Sequence, residues 1–504
     1  MSPGPVSPRT HLWLMWTILI AGALLRLAQY CSNRSLWCDE ALLALNVLHR
    51  PWSGLVKPLD YNQGAPIGFL FLEKLSAQLL GGSELALRLI PLLSGIGSLY
   101  LFWRVARQCL STRAAAIAFG LFAVSFPLIY YSSEVKQYST DVAVNLLLLT
   151  LLLERRIQPR PFGRILWLGV AGASAIWFSH PASFVLAAAG ITWALFLRAR
   201  RDWDGLRALT VLLSVWGVSF AACYLISLRS LTQNAMLLDF WRGQFPPVPA
   251  WSVHNVAWLA DRSLALIKDS AGLNAPLGAA FCVAGFGSLF LRDRKALALL
   301  TVPAALAVLA SALHTYPLAG RLMLFFVPNL LLLVGEGVSW IGEKIPARFS
   351  TPAITVLTLL LFAQPAITTA RAFLGPKYPE DIKPAISYIL KNQQAGDSWY
   401  VYHFARYQYW YYRERLQLPV TNVRIGTDCG SDWQCYQADL DQLRGTPRVW
   451  LLFSHIWVGD GVDEEQFFLQ RLDGLGKRLD SYKSTGARAY LYDLSTASAR
   501  GPSR

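Results

Sequence analysis

ALTVLLSVWGVSFAACYLISL, residues 208–228, contains no charged side chain. A helix needs about 20 apolar residues to cross the hydrocarbon of a bilayer, and unpaired backbone groups there are prohibitively costly. This run therefore reads as a membrane-spanning helix, and similar runs recur along the chain. They lie near 12–30, 84–104, 113–131, 138–153, 164–179, 181–197, 276–291, 296–313, 321–341 and 352–371. The expected fold class is an α-helical polytopic membrane protein with about eleven spans. Composition agrees: 54% of the 504 residues are hydrophobic and only 15% are charged, against about 25% charged in soluble domains. The first run is too long for the apolar region of a signal peptide and lacks a small-residue cleavage site, so it is expected to remain as a helix.

Basic residues set the expected orientation. Arg104, Arg107 and Arg113 form one connection; Arg155, Arg156, Arg160 and Arg164 form the next. Arg198, Arg200, Arg201 and Arg207 follow, then Arg292, Arg294 and Lys295, then Lys344 and Arg348. Every second loop is basic, which puts those loops and the N-terminus in the cytoplasm. An odd number of spans leaves the C-terminal region outside. The net charge of +15 then suits anionic lipid or an anionic lipid-like substrate better than nucleic acid, which is not an expected partner.

The expected domains are a membrane domain over 1–375, an extracytoplasmic α/β domain over 376–494 and a disordered tail over 495–504, with Ser2–Pro8 also disordered. In the first external loop, 31–83, Ala41–Leu48 and Ile67–Leu80 read as amphipathic helices at the membrane surface. A second external segment, 229–275, carries Trp241, Trp251 and Trp258, suited to an interfacial position. In the C-terminal domain, Pro379–Asn392 has a helical pattern, while Trp399–Tyr402, Val449–Phe453 and Ala489–Tyr492 read as strands. Cys429 and Cys435 lie close together there, and outside the cytoplasm they are expected to pair. Cys31 and Cys38 flank the first loop, where a pair or two separate thiols are equally good readings. Cys223 and Cys282 sit within spans as packing residues, and Cys109 falls in a cytoplasmic loop.

Four external stretches carry chemistry-bearing side chains. Leu36-Trp37-Cys38-Asp39-Glu40-Ala41 puts two adjacent carboxylates just past the first span. Either Asp39 caps a helix and Glu40 favours its positive end, or the pair serves a reaction. Tyr130–Asp141 holds Glu134, Lys136, Tyr138 and Asp141 in the turn before the fourth span. Spaced i, i+4 and i+7, Glu134, Tyr138 and Asp141 would share a helical face, and an acid inside the membrane boundary normally faces a cavity or partner. Tyr61-Asn62-Gln63-Gly64-Ala65-Pro66 is by itself a turn, with hydrogen-bonding side chains. His314–Arg321 ends in an arginine whose default role is snorkelling to headgroups and whose alternative is a phosphate clamp. His180, at the break between two spans, is more ordinarily structural than a ligand. The sequence contains no GxxxxGK[ST], HExxH or GxSxG run, so ATP coupling and serine hydrolysis have no visible support.

Trp37-Cys38-Asp39-Glu40-Ala41, Gln63-Gly64-Ala65-Pro66, Ser133–Tyr138 and Gly320-Arg321, in this order and on one side, resemble the motifs of GT-C glycosyltransferases. The nearest group is the bacterial family 39 set, related to protein O-mannosyltransferases and the lipid A aminoarabinose transferase. The resemblance covers roughly 10–340 in organisation and implies a GT-C fold. It also implies transfer of a sugar from a polyprenyl-phosphate donor to a lipid, glycan or protein acceptor on the outer face of a bacterial inner membrane. Carried over by residue, Asp39 is the catalytic acid of the first loop and Glu40 its neighbour, while Glu134 is the second-loop acid. Arg321 holds the donor phosphate. Lys136, Tyr138, Asp141, Tyr61, Gln63 and His314 are expected around the substrate. A divalent metal is compatible with this chemistry but not required by it, with Asp39, Glu134 and His180 as speculative ligands.

A hydroxyl acceptor is a weak nucleophile and needs a base, the role expected of Asp39. A lipid phosphate leaves as a stable anion and needs fixed positive charge rather than a proton. The rival class is a transporter or lipid flippase, since membrane acids and bases also serve proton coupling and substrate passage. Against it, the candidate residues sit on one side and no repeated half is visible. An envelope-assembly scaffold would explain the C-terminal region but not Asp141 or the acidic turn.

Overall fold

The computed structural model describes residues 8–153, 162–247, 253–375, 379–418, 421–459 and 462–495. Arg155, Arg156, Arg160, Trp251, the N-terminal tail before Pro8 and the tail from 496 onward lie outside the described residues. Two compact units emerge. The first comprises Met1–Ser32, Pro51–Gly81 and Leu85–Gly375; the second comprises Asn33–Arg50, Gly82–Glu84 and Pro376–Arg504. This division differs from a linear boundary at 375 by drawing two pieces of the first loop into the second unit.

The first unit is helical. Among the described residues, eight helices are long and apolar enough to cross a membrane, including Leu12–Cys31, Trp203–Thr232 and Leu324–Lys344. Three shorter apolar helices, Thr112–Val124, Tyr138–Leu152 and Ile165–Phe178, fall where the remaining spans are expected. The protein is thus a multi-pass membrane protein. The expected span 113–131 is interrupted: Ser125 adopts an extended conformation, and a short helix, Phe126–Tyr131, restarts with Pro127 in its first turn. Proline supplies no amide hydrogen and suits a first turn, which explains the restart.

Leu324–Lys344 is the central helix, with 89% of its apolar window buried. Gly285 and Gly337 bring it against helix Ala275–Arg292 at backbone contact; a Cβ on either would overlap a carbonyl of the other helix. Small residues at such a crossing are the expected solution in lipid, where packing replaces the hydrophobic effect. Several polar groups inside the unit find partners. Asn145 Nδ2 donates to Asn329 Oδ1 at 2.9 Å and to Phe325 O at 2.7 Å. Buried Arg26 donates to Gly22 O at 3.0 Å and Ala123 O at 3.3 Å.

The second unit holds a five-stranded sheet. Its strands are β1 (Ser398–Val401), β2 (Val423–Ile425), β3 (Val449–Ser454), β6 (Lys477–Ser484) and β7 (Ala487–Asp493), with β4 (Val458–Gly459) and β5 (Val462–Asp463) forming a separate ribbon. The order is β2-β1-β3-β7-β6. β2, β1 and β3 run parallel, while β7 pairs antiparallel with both β3 and β6. Every residue of β3 is buried, as a central strand covered on both faces requires. Helix Ile382–Asn392 buries Ile382, Ala385, Ile386 and Ile389, one stripe of a 3.6-residue period. The expected strands β1, β3 and β7 are present, and the fold class read from sequence holds.

The first-loop pieces complete this unit. Helix Cys38–His49 packs on helix Arg406–Arg415. Ala41, Leu43, Ala44 and Val47 are fully buried, so Ala41–Leu48 is an interior helix rather than one lying at a membrane surface. Leu36 N donates to Tyr412 Oη at 2.9 Å, Gln408 Nε2 donates to Leu36 O at 2.9 Å, and Tyr411 Oη donates to Gly82 O at 2.9 Å. Cys429 and Cys435 form a disulfide, while Cys31 and Cys38 keep their thiols.

Replacing Gly337 by Leu forces the central helix off its neighbour and is expected to cost about 1–3 kcal/mol or more. Gly287, with open space around its Cα, tolerates the same change. Thermal unfolding midpoints in detergent check this; equal midpoints for Gly337→Leu and Gly287→Leu would contradict the close crossing.

Candidate functional site

In the first unit, three sequence motifs meet. Ser132 and Ser133 hydroxyls donate back to Ile129 O and Tyr130 O at 2.6 and 3.2 Å, ending the short helix before them. Residues 132–137 form turns and bends, and the next helix begins at Tyr138. Glu134 is therefore not on one helical face with Tyr138 and Asp141, which corrects the spacing argument. Glu134 is fully buried and Lys136 nearly so. The Lys136 ammonium donates to Gln63 Oε1 at 2.6 Å, joining this turn to the Gln63-Gly64-Ala65-Pro66 turn. The Arg321 guanidinium lies 5.9 Å from the Tyr138 ring centroid and 5.5 Å from that of Trp241, within cation–π range.

Trp241 was legible in sequence only as an interfacial aromatic; nothing there linked it to Arg321. Its segment is tied to the late loop, because Leu318 N donates to Gln244 O at 3.0 Å and Phe245 packs on the His314 ring at 5.1 Å. His314 itself adopts a left-handed conformation, φ 54°. Tyr61 and Asn62 are also left-handed, φ 61° and 53°. Asn62 Oδ1 accepts from Asn234 Nδ2 at 2.8 Å, and Gln63 Nε2 donates to Tyr61 O at 3.3 Å. Asp141 is buried in the first turn of its helix. His180 lies at the break between helices Phe162–Phe178 and Ala182–Ala199. No three His, Cys, Asp or Glu side chains among the described residues group as a metal site, so the suggested ligand set of Asp39, Glu134 and His180 gains no support.

The acidic motif belongs to the second unit. Helix Cys38–His49 takes Trp37 as its N-cap residue, without a side-chain cap, so Asp39 does not cap it as the structural reading of the pair supposed. The end is satisfied from elsewhere: Cys38 N donates to Glu380 Oε2 at 2.9 Å. That oxygen also accepts from Gln408 Nε2 at 3.0 Å, and Glu380 Oε1 pairs with His455 Nδ1. A carboxylate at a helix start is favourable both as acceptor and as negative charge. Asp39 and Glu40 follow in the first turn; Glu40 is fully buried, 3.9 Å from the Arg34 guanidinium. Burial alone lowers the His455 pKa, but the hydrogen bond to Glu380 and the negative charges of Glu380 and Asp39 outweigh it and hold the value above the ordinary histidine range. Glu380 and His455 were not anticipated, since no local pattern marks a partner 342 residues away.

The family described as dolichyl-phosphate-mannose-protein mannosyltransferase matches residues 64–236, about a third of the chain. ArnT from Cupriavidus metallidurans, in a crystal structure bound to undecaprenyl phosphate, aligns with a TM-score of 0.58 at 13% identity, over 99% of this chain and 100% of that one. Its apo structure gives 0.54 at 16% identity, over 97% and 99%. The archaeal oligosaccharyltransferase AglB from Archaeoglobus fulgidus, in complex with an inhibitory peptide and a dolichol-phosphate, gives 0.54 at 12% identity, over 98% of this chain and 75% of that one. No curated protein sequence matches. Nearly the whole chain thus shares the fold of these structures, and residues 64–236 match that family's model.

A histidine whose folded pKa is raised contributes stability that is complete below its unfolded pKa and lost as pH rises through the folded value. The unfolded value is about 6.5. The stability gap between wild type and His455→Gln is therefore expected to be widest near pH 6 and to narrow towards pH 9. Denaturation midpoints across that range test it; a gap that widens with pH contradicts the assignment.

Proposed function

We propose that the chain transfers a sugar from a polyprenyl-phosphate donor to an acceptor on the outer face of a bacterial inner membrane. The N-terminus is cytoplasmic and the C-terminal unit periplasmic. One observation carries this reading: Gln63, Lys136, Tyr138 and Arg321, from three motifs far apart in sequence, are brought together in one unit with two cations among them. The structural neighbour bound to undecaprenyl phosphate and the one bound to dolichol-phosphate support a lipid-phosphate donor.

In this reading the Asp39 carboxylate takes the proton of the acceptor hydroxyl as its oxygen attacks the anomeric carbon. The bond from that carbon to the phosphate oxygen breaks through an oxocarbenium-like transition state, as in other glycosyl transfers. The lipid phosphate departs with the bonding electrons, its charge held by Arg321 and Lys136. One base and one cationic clamp give single displacement with inversion. Glu134, Asp141, Tyr61 and His314 shape and orient the donor end, and Glu40 keeps the first turn of its helix acidic.

Purified protein assayed with a set of polyprenyl-phosphate sugars tests this. Asp39→Asn is expected to lower transfer by about 10²–10⁴, while Cys109→Ser, remote from the proposed chemistry, retains it. Proton-coupled uptake without any transfer product would instead establish a transporter.

Arg321→Ala is expected to weaken donor binding roughly tenfold or more, the worth of a hydrogen bond to a charged group, with the unfolding midpoint kept. Unchanged donor affinity in that variant removes the phosphate-clamp role.

A further inference from the structure

The second unit contains a cavity of about 480 Å³, outside the motifs discussed so far. Its walls include Phe404, Trp433, Tyr436 and Trp457, together with His403 and Glu464. The volume falls within the usual range for small-molecule pockets. The loop that supplies Asp428, Gly430, Ser431, Trp433 and Tyr436 to one wall is closed by the Cys429–Cys435 disulfide.

His403 is the anomaly. It is fully buried, yet neither ring nitrogen has a hydrogen-bond partner. The nearest acceptor, Glu464 Oε2, is 3.7 Å from Nε2, too far for a hydrogen bond. Burial depresses its pKa to about 4, so at neutral pH the ring is uncharged and presents one N–H donor and one lone pair. Buried polar atoms left this way are costly and call for an explanation. Glu464 is turned instead to the Tyr402 and Tyr436 hydroxyls, which donate to its two oxygens, and it leaves the imidazole beyond bonding distance.

The lining chemistry narrows the occupant. Among the described residues no Lys or Arg lines the cavity, and Asp428 adds a second carboxylate, which disfavours phosphate and other anions. A simple ammonium ion would suit the rings and carboxylates, but it has no acceptor for the imidazole N–H. A sugar ring fits every part: its hydroxyls both donate and accept, and its C–H face lies flat on indole. Trp457, 39% exposed, stands at the mouth where such a face arrives.

We propose that this pocket binds an uncharged sugar ring of a glycan-bearing acceptor, with His403 bonding its hydroxyls and Trp433 and Trp457 holding its apolar face. The choice of acceptor as the source of that ring rests on the transferase reading; the binding itself does not. Phe404 links the pocket to the acidic motif within the same unit. Its carbonyl accepts from Cys38 Sγ at 4.0 Å, and its ring packs edge-on against His455 at 5.4 Å.

The experiment is titration of the full-length, detergent-purified chain with neutral methyl glycosides, followed by tryptophan fluorescence and calorimetry. Wild type is expected to bind at least one glycoside. Trp457→Ala and His403→Leu are expected to weaken it tenfold or more, and Trp457→Phe to restore most of the affinity at an unchanged unfolding midpoint. Asp39→Asn should keep glycoside binding while losing transfer. Absence of glycoside binding by wild type overturns the pocket assignment, as does unchanged affinity in Trp457→Ala. Tetramethylammonium binding that Trp457→Ala abolishes, with no glycoside binding, makes it a cation site and equally overturns it. Glycoside binding without any transfer would sink only the transferase reading.

Discussion

The Glu380 carboxylate is the tie on which the second unit's arrangement depends. It takes the first amide of the helix that carries Asp39 and Glu40, the side-chain amide of Gln408 and the ring of His455. Cys38 and Gln408 are buried, so their donors would otherwise be unsatisfied polar groups in a dry interior, where the penalty is about 1–3 kcal/mol apiece. Three donors from three separate segments converge on one carboxylate. The orientation of the acidic motif is thus an electrostatic matter, decided by groups from the far end of the chain.

The first unit is governed by a different constraint. Lipid offers its backbone no partners, so every polar group must be answered within the helices. The result is visible in the Asn145–Asn329 pair and in the carbonyls around Arg26. The turn holding Glu134 and Lys136 shows the same rule in its serine hydroxyls and in the Lys136–Gln63 bond. Irregular backbone at that depth survives only where neighbouring side chains and turns complete it.

Sequence legibility followed these physics. Apolar runs are a strong signal, because lipid tolerates little else, and the helices appear where those runs lie. Strand β3 was readable as an unbroken apolar stretch, whereas β6, Lys477–Ser484, is a polar edge strand with an alternating exposed pattern and β2 has only three residues. Short loops carrying Lys136 and Arg321 stood out as chemistry in the wrong place for a bilayer. Their partners Gln63 and Trp241 did so less clearly, since a glutamine in a turn and a tryptophan near an interface are both ordinary. Glu380, His455 and His403 left no trace at all: each matters through three-dimensional neighbours, and the periodicity around them is that of any small α/β domain. The failure of the Glu134–Tyr138–Asp141 face shows the limit of spacing arguments. Two serines that bond back to the preceding turn were enough to cancel the helix on which the argument stood.

Insertion of 33–50 into a unit built mostly from the end of the chain also imposes a timetable. The Cys38 amide and the Glu380 carboxylate are separated by 342 residues, which a ribosome adding about 5–20 residues per second needs roughly 20–70 s to deliver. Throughout that interval the early segment is without the scaffold that shapes it. A nascent polypeptide stalled before its last quarter would therefore lack the carboxylate that closes the first turn of Cys38–His49.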